Sequence, residues 1–580
     1  MSQGAQGPIA ARWKTTLLHR LGKLQQREDQ VFLALALVIG ALTGLTVVAF
    51  ILLTERMGMR LYPVGGAPWR RLLFPVGGSL GVGYLLYRYF PNARGSGVPQ
   101  TKAALYAREG RITLRTVLGK FFCTSATLAS GIPLGREGPS VQVGAGIGSV
   151  LGRLLGMRTE QVKKLVPVGA AAAIAAAFNT PLAAVLFALE EIVGDLNAPV
   201  IGAVVLASAT AWMVLRLCLG DHPLFKVPQY QLVHPAEFAV YAVLGVAGGV
   251  VSAAFTKLLL DMRKWFLRLP KKTAWFQPVA GGLLVGLIGW FVPQVLGVGY
   301  GFVGDALNGK MAFNLMVLLV VLKLLAVTTS YASGNAGGIF GPALFIGAML
   351  GGTVGTAAHH FFPAYTALPG AYALVGMGAV FAGIVRAPMT SVLMIFEMTQ
   401  DYAVIVPLMI ANMVSLFIAS QLQHEPIYEA LAVQDGIHLP TAKTRQRPGQ
   451  QQLVRVMHSA TELLLPAEIT VREALDRIRP TDLRTWLVTD PQGVAGVINF
   501  SRLEQELAES PDKKLGDLVD PLNFPHVHPD QGLDLALERM GANQIEILPV
   551  VNRADVHKLE GIVTLRDVLD SYGVKRTDRG

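Results

Sequence analysis

Cysteine is almost missing from this chain: its 580 residues include two, Cys123 and Cys218, with no CxxC spacing and no histidine cluster nearby. That excludes a disulfide framework and a cysteine-ligated metal site, and it leaves both thiols as small packing residues. Charge is scarce too. Asp, Glu, Lys and Arg make up 15% of the chain against 52% hydrophobic residues, too apolar a balance for a soluble protein of this length. HExxH is also lacking. The nearest approach, His424-Glu425-Pro426-Ile427-Tyr428, has no second histidine ligand and contains a helix-breaking proline, which argues against an intramembrane metalloprotease. No short hydrophobic core with a small-residue cleavage site opens the chain. The first apolar run, Val31 to Leu53, is long enough to cross a hydrocarbon core and reads as a membrane segment, not a leader.

What is present is a polytopic membrane protein with a soluble tail. The net charge of +11 is spread over loops and ends, which suits membrane orientation and contact with anionic lipid and gives no footprint for nucleic acid. Arg12, Lys14, His19, Arg20, Lys23 and Arg27 make residues 1–29 a cationic amphipathic segment that the positive-inside rule assigns to the cytoplasm, and the tail is expected on the same side. The expected location is the cell's inner (plasma) membrane, crossed many times.

The chain repeats itself. Gly135, Gly138, Pro139, Gly144, Ala145, Gly148 and Gly152 recur as Gly338, Gly341, Pro342, Gly347, Ala348, Gly351 and Gly355, each displaced by 203 positions, as 338 is from 135. Val168, Gly169, Ala172, Ala175, Pro181, Val185, Leu186 and Glu190 recur 207 positions later as Val375, Gly376, Ala379, Ala382, Pro388, Val392, Leu393 and Glu397. Pro91, Gly95 and Gly97 recur as Pro293, Gly297 and Gly299, 202 positions on. Three anchors in one order define a duplicated membrane domain over 30–433, with halves at about 30–220 and 235–433, whose relative orientation stays open at this level. Repeats of this kind build transport sites where the halves meet. A polar linker, 434–452, leads to a second duplication, in which Ala474, Leu475, Arg477 and Ile478 match Ala536, Leu537, Arg539 and Met540, 62 positions apart. Each copy, 453–512 and 513–580, reads as a helix, a β-rich run, a turn, a Gly-initiated strand and a final helix, and resembles a tandem CBS pair.

Three glycine-punctuated helix starts could carry chemistry: Gly95-Ser96-Gly97-Val98-Pro99, Gly135-Arg136-Glu137-Gly138-Pro139 and Gly337-Gly338-Ile339-Phe340-Gly341-Pro342. Backbone N–H groups freed there, with the helix dipole behind them, favour an anion; tight packing and turns are the plainer reading of any one motif alone. The halves differ in polarity. Glu137 stands opposite Phe340, Glu191 opposite Met398 and Ser96 opposite Val298, so one half carries the polar side chains. Glu190 and Glu397 are equivalent and read as structural acids at helix ends or in interhelical hydrogen bonds.

The motifs GSGVP, GREGP and GGIFGP in this order, with Asn179-Thr180-Pro181 leading to Glu190-Glu191 and with Pro426-Ile427-Tyr428 at the end of the membrane domain, resemble the CLC family of chloride channels and proton-coupled chloride transporters. The resemblance covers residues 30 to 433, and appended CBS pairs also occur in that family. It implies an all-α membrane domain of two inverted repeats with short and broken helices, followed by an α/β tandem CBS pair. It also implies a homodimer with an ion pathway in each subunit. By position it assigns the Ser96 hydroxyl, the Tyr428 phenol and the N–H groups of Ile339 and Phe340 to a chloride. Neutral donors suit transport, since a full positive charge in a low-dielectric path would hold the anion too tightly. Without the motifs, Ser96 would read as a helix N-cap and Tyr428 as an interfacial aromatic.

The resemblance makes Glu137 the gating glutamate, its carboxylate standing in for chloride near the N–H groups of Gly138, Phe340 and Gly341 and swinging away when protonated. A salt bridge to Arg136 is the competing reading, although adjacent helical side chains seldom pair. Glu191 matches the internal proton glutamate that many channels of the family lack, so retention of both acids points to chloride/proton exchange, with a passive voltage- or pH-gated chloride channel as the alternative; Glu191 as a plain interfacial acid is the bland reading. By the same resemblance, serine in GSGVP implies chloride over nitrate, for which family members often have proline at that position. A CBS-bearing magnesium channel would need acidic pore residues where this chain has anion-type helix starts. The protein is thus expected to transport chloride and protons, to be no enzyme and to require no cofactor. In the tail, Thr564 and Asp567 resemble CBS positions that hold an adenine nucleotide, whereas Asn499 and Arg502 break that pattern in the first copy; a purely structural, dimerising tail is the equal alternative.

Overall fold

The computed structural model describes residues 28–572 apart from 64, 197–199, 221–222, 229, 231, 438–452, 460–462, 479–483, 522–523, 530 and 553–554. The N-terminal cationic cluster, Arg12 to Arg27, and the linker from 438 onward lie outside the described residues. The chain forms two compact units, residues 1–439 and 440–580.

The first unit is helical and comes in two matching series. One comprises α1 (Glu28–Leu61), α2 (Pro68–Arg88), α3 (Val98–Ala107), α4 (Leu114–Ala129), α5 (Glu137–Leu154), α6 (Thr159–Phe178), α7 (Pro181–Phe187), which runs on into a π-helical turn (Ala188–Val193), and α8 (Ile201–Leu219). The other comprises α9 (Glu237–Arg268), α10 (Pro278–Phe291), α11 (Tyr300–Leu307), α12 (Phe313–Ala332), α13 (Phe340–Phe361), α14 (Pro369–Val385), α15 (Pro388–Thr399) and α16 (Ile405–Leu422). α17 (Ile427–Gln434) closes the unit and takes in Gln434, which the polar texture had assigned to the linker. Among the described residues, seven helices are long and apolar enough to cross a membrane; α3, α7 and α11 are much shorter, as their flanking glycines and prolines dictate.

The repeated glycines are seams. A Cβ on Gly144 in α5 would collide with the Gly169 carbonyl oxygen of α6, and one on Gly347 in α13 would collide with the Gly376 carbonyl of α14. Lipid tails are as apolar as the helices, so association depends on this close backbone approach. The halves meet through equivalent residues: Gly135 and Gly338 exchange N–H···O=C bonds of 2.8 and 2.7 Å in an antiparallel bridge, as a local two-fold axis between inverted repeats requires. Farther along, Glu397 accepts from the N–H groups of Leu182 and Ala183 at 3.0 and 2.7 Å, and Glu190 accepts from those of Met389 and Thr390 at 3.4 and 2.9 Å. Each acid satisfies the orphan donors at the start of the other half's short helix, which is the structural role expected of this pair. The cysteines diverge: Cys123 is buried, but Cys218 is exposed on α8, so only the first is a packing residue. Its neighbours Met213 and Leu217 are exposed as well, because α8 turns an apolar face outward.

The second unit also has two similar parts. In the first, β1 (Leu464–Pro466) runs parallel to β2 (Thr485–Asp490), which pairs antiparallel with β3 (Gly493–Asn499), flanked by α18 (Val471–Arg477) and α19 (Phe500–Glu509). In the second, α20 (Leu533–Asn543) precedes the antiparallel pair β4 (Ile547–Val551) and β5 (Leu559–Thr564), followed by α21 (Leu565–Ser571). Leu487, Ile547 and Ile562 pack the two parts together.

Candidate functional site

The three glycine turns place three helix starts side by side. Gly95 and Gly97 have φ of 88° and 104°, a region cheap only for glycine, and a Cβ on Gly97 would collide with the Gly138 carbonyl. The start of α3 therefore lies against the start of α5, and the Gly135–Gly338 bridge sets the start of α13 beside that. A buried lysine braces each half at the matching place. Lys120 Nζ donates to the carbonyls of Ala93 and Gly95 at 3.0 and 2.5 Å, and Lys323 Nζ, 203 positions later, donates to those of Val295 and Gly297 at 3.0 and 2.7 Å. The ammonium groups are spent on the turns, which leaves helix-end N–H groups and hydroxyls as donors at the junction.

Two hydroxyls there are buried without a protein hydrogen-bond partner among the described residues: Ser96 Oγ and the Tyr428 phenol. An unpaired buried hydroxyl costs about 1–3 kcal/mol, so such groups beside convergent helix starts suit an acceptor that is not protein. The Ser96 N–H donates to the Tyr331 hydroxyl at 3.2 Å, and the Tyr428 ring stacks on Phe340 with centroids 6.3 Å apart. Phe340 also touches the rings of Phe178, Phe187 and Phe381, so the start of α13, with Ile339 at its N-cap, is fixed in an aromatic setting.

Glu137, the first residue of α5, is fully buried, and its carboxylate reaches the other half. Oε2 accepts from the Gly341 N–H at 3.3 Å, and Oε1 accepts from the Tyr300 hydroxyl at 2.5 Å. Arg136 is committed elsewhere, with Nη1 3.0 Å from Glu55 Oε1 and its guanidinium carbon 5.7 Å from the centre of the Tyr300 ring. Glu191, on the π-helical turn, pairs with Lys102 Nζ at 2.6 Å, and Glu429 lies 3.8 Å from the same ammonium. π-turns recur at functional sites. This trio links α3, the α7 extension and α17, within a few residues of both Ser96 and Tyr428.

A family model described as voltage-gated chloride channel matches residues 78–420. The chain belongs to the CLC family. A CBS-domain model also matches residues 515–573. The H(+)/Cl(-) exchange transporter ClcA of Vibrio campbellii is 35% identical over 354 residues, 60% of this chain and 76% of that protein. A slow cyanobacterial Cl-/H+ antiporter of known crystal structure superposes with a TM-score of 0.64 at 28% identity, covering 70% of this chain and 97% of its own. A eukaryotic CLC transporter gives a TM-score of 0.60 at 20% identity over 92% of this chain and 97% of its own, a likeness of fold. Within this CLC chain, three residues around the expected acids escaped the motif reading: Tyr300, Lys102 and Glu429. Each had a signal, because Tyr300 follows the second copy of the GSGVP glycines, Lys102 is a cation in the helix that GSGVP opens, and Glu429 is next to Tyr428.

In the CBS region Thr564 and Asp567 hold each other. The Asp567 carboxylate accepts from the Thr564 N–H and hydroxyl at 2.9 and 2.7 Å, forming a capping box at the start of α21, and His458 Nε2 is 3.0 Å from its other oxygen. Asn499, the matching N-cap of α19, makes no side-chain cap.

Proposed function

We propose that the protein exchanges chloride for protons across the cell's inner membrane, with Glu137 as gate and Glu191 as internal proton acceptor. The observation that carries the reading is the buried Glu137 carboxylate, an anion already seated against the N–H of Gly341 at the start of α13. Chloride competes for that outer seat, beside the N–H groups of Gly138, Phe340 and Gly341, when Glu137 is protonated and withdrawn, and a central chloride takes its neutral donors from Ser96, Tyr428, Ile339 and Phe340. A proton carried on one carboxylate and an anion excluded by that same carboxylate are thereby exchanged, which also agrees with the activity named for the Vibrio relative. Two subunits dock through the outward apolar faces of α8 and α16, where Met213, Leu217, Met409, Met413 and Phe417 are exposed. The N-terminal segment and the CBS tail are cytoplasmic, and the Thr564–Asp567 turn is a candidate adenine-nucleotide site, open to a regulatory role.

One observation favours the alternative of a passive channel: Glu191 is already engaged by Lys102. Paired chloride and proton flux from liposomes separates the two. Exchange requires uphill proton movement driven by a chloride gradient, lost in Glu137→Ala with chloride flux retained, and lost in Glu191→Gln. Chloride flux that moves no protons in the unmodified protein refutes exchange.

A further inference from the structure

The gate is held from the outside of the motif set by a residue that the family pattern did not supply. Tyr300 begins α11, the second half's counterpart of α3, and stands where the first half has Val98, displaced by the same 202 positions as Gly297 from Gly95. Its hydroxyl donates to Glu137 Oε1 at 2.5 Å, while the other carboxylate oxygen has only the longer Gly341 contact at 3.3 Å. Hydrogen bonds from a hydroxyl to an ionised carboxylate are short and are among the stronger ones in proteins. The phenol is held in turn. Its ring meets Phe225 edge to face at 5.8 Å, and Arg136 lies over it, anchored by Glu55 of α1. A cavity of about 860 Å³ has Glu55, Tyr62, Arg136, Tyr300, Phe302 and Asp305 among its lining residues, so Tyr300 borders open space as well as the gate.

We propose that Tyr300 is a positioning residue for Glu137: a phenolic latch, set by the Glu55–Arg136 pair, that lengthens the stay of the ionised carboxylate in the anion path. The proposal rests on Glu137 being the gate. The charged and titratable groups that act on this contact are Tyr300 from α11, Arg136 on the same turn as Glu137, Glu55 from α1 and Tyr428 from α17. Because the phenol donates to Oε1, it holds the carboxylate in its blocking position. Without that donor the side chain leaves the path more readily.

The test is chloride efflux from liposomes as a function of pH, with proton flux recorded in parallel. Tyr300→Phe keeps the ring against Phe225 and Arg136 and deletes only the donor. The pH of half-maximal chloride flux should rise by about one unit, equivalent to about 1.36 kcal/mol. Glu55→Gln, at a side chain 56% exposed and so tolerant of change, should move the profile the same way by less. On a Glu137→Ala background Tyr300→Phe should change nothing, because the latch acts through that carboxylate. If Glu137→Ala uncouples the protein while Tyr300→Phe and Glu55→Gln leave the profile in place, the latch is overturned and the gate stands. An equal shift on the Glu137→Ala background overturns the latch as well. A Glu137→Ala protein with full proton coupling removes the gate, and the latch with it.

Discussion

Replacing Lys102 with methionine keeps a long apolar stem and removes the ammonium that lies 2.6 Å from Glu191 and 3.8 Å from Glu429. The closer pair is well withdrawn from solvent, with side chains 2% and 11% exposed. Breaking a buried pair by deleting one partner costs about 3–5 kcal/mol, since the other charge stays behind uncompensated. Here the ammonium serves Glu191 closely and Glu429 at longer range, so Lys102→Met falls within that range. Glu191→Gln is the milder change. It leaves Lys102 with Glu429, and the amide oxygen still accepts from the ammonium, so the expected cost falls to about 1–2 kcal/mol, the scale of a weakened hydrogen bond. The double variant should be no less stable than Lys102→Met alone, giving a coupling of about 1–2 kcal/mol in a double-mutant cycle. Cooperative unfolding of the purified protein in mixed micelles, followed by circular dichroism, measures all four corners. Additive losses, or a Glu191→Gln protein as unstable as Lys102→Met, would show that the shared cation does not organise these acids.

Two further predictions concern the seams between helices. Glu397→Gln weakens a charged acceptor for the N–H groups of Leu182 and Ala183, and Glu190→Gln does the same for Met389 and Thr390, so each should cost about 1.5–3 kcal/mol and the two should lower the melting temperature about equally. A large loss in one with none in the other would break the equivalence of the halves. Gly347→Ala drives a Cβ into the Gly376 carbonyl and should destabilise by about 1–3 kcal/mol or more, whereas Gly301→Ala meets nothing within 4 Å and should be close to neutral; the two melting curves decide.

Much of the membrane fold was legible because glycine spacing records close helix approach directly. The 203-residue displacement pairs α5 with α13 from the residues alone, and the equivalence of Glu190 and Glu397 sets them apart as structural. The relative orientation of the halves was not legible from the residues alone: identical spacings arise from parallel or inverted repeats, and the Gly135–Gly338 bridge is a contact in space. The carboxylates that define the site were visible as costly acids in apolar sequence. Their partners were not. Tyr300 is 163 residues from Glu137, Lys102 is 89 from Glu191, and no local pattern encodes which far-off donor a buried acid will meet. In the tail the helix, strand pair and final helix of each part followed the alternating pattern, but the three-residue β1 ahead of the first helix is too short to leave one, and the use of Asp567 as a cap for its own helix appears only in its hydrogen bonds.

The Gly135–Gly338 bridge has a bearing on how the protein is made. Its two hydrogen bonds join residues 203 positions apart, and the chain between them includes several apolar helices that must enter the membrane first. Contacts so distant in sequence carry a loop-closure cost that local helices do not, so they form after the helices on either side. Since Gly341, whose N–H meets the Glu137 carboxylate, belongs to α13 and Glu137 belongs to α5, that contact is completed in the same docking event. A chain that stops before α13 lacks both the bridge and that contact.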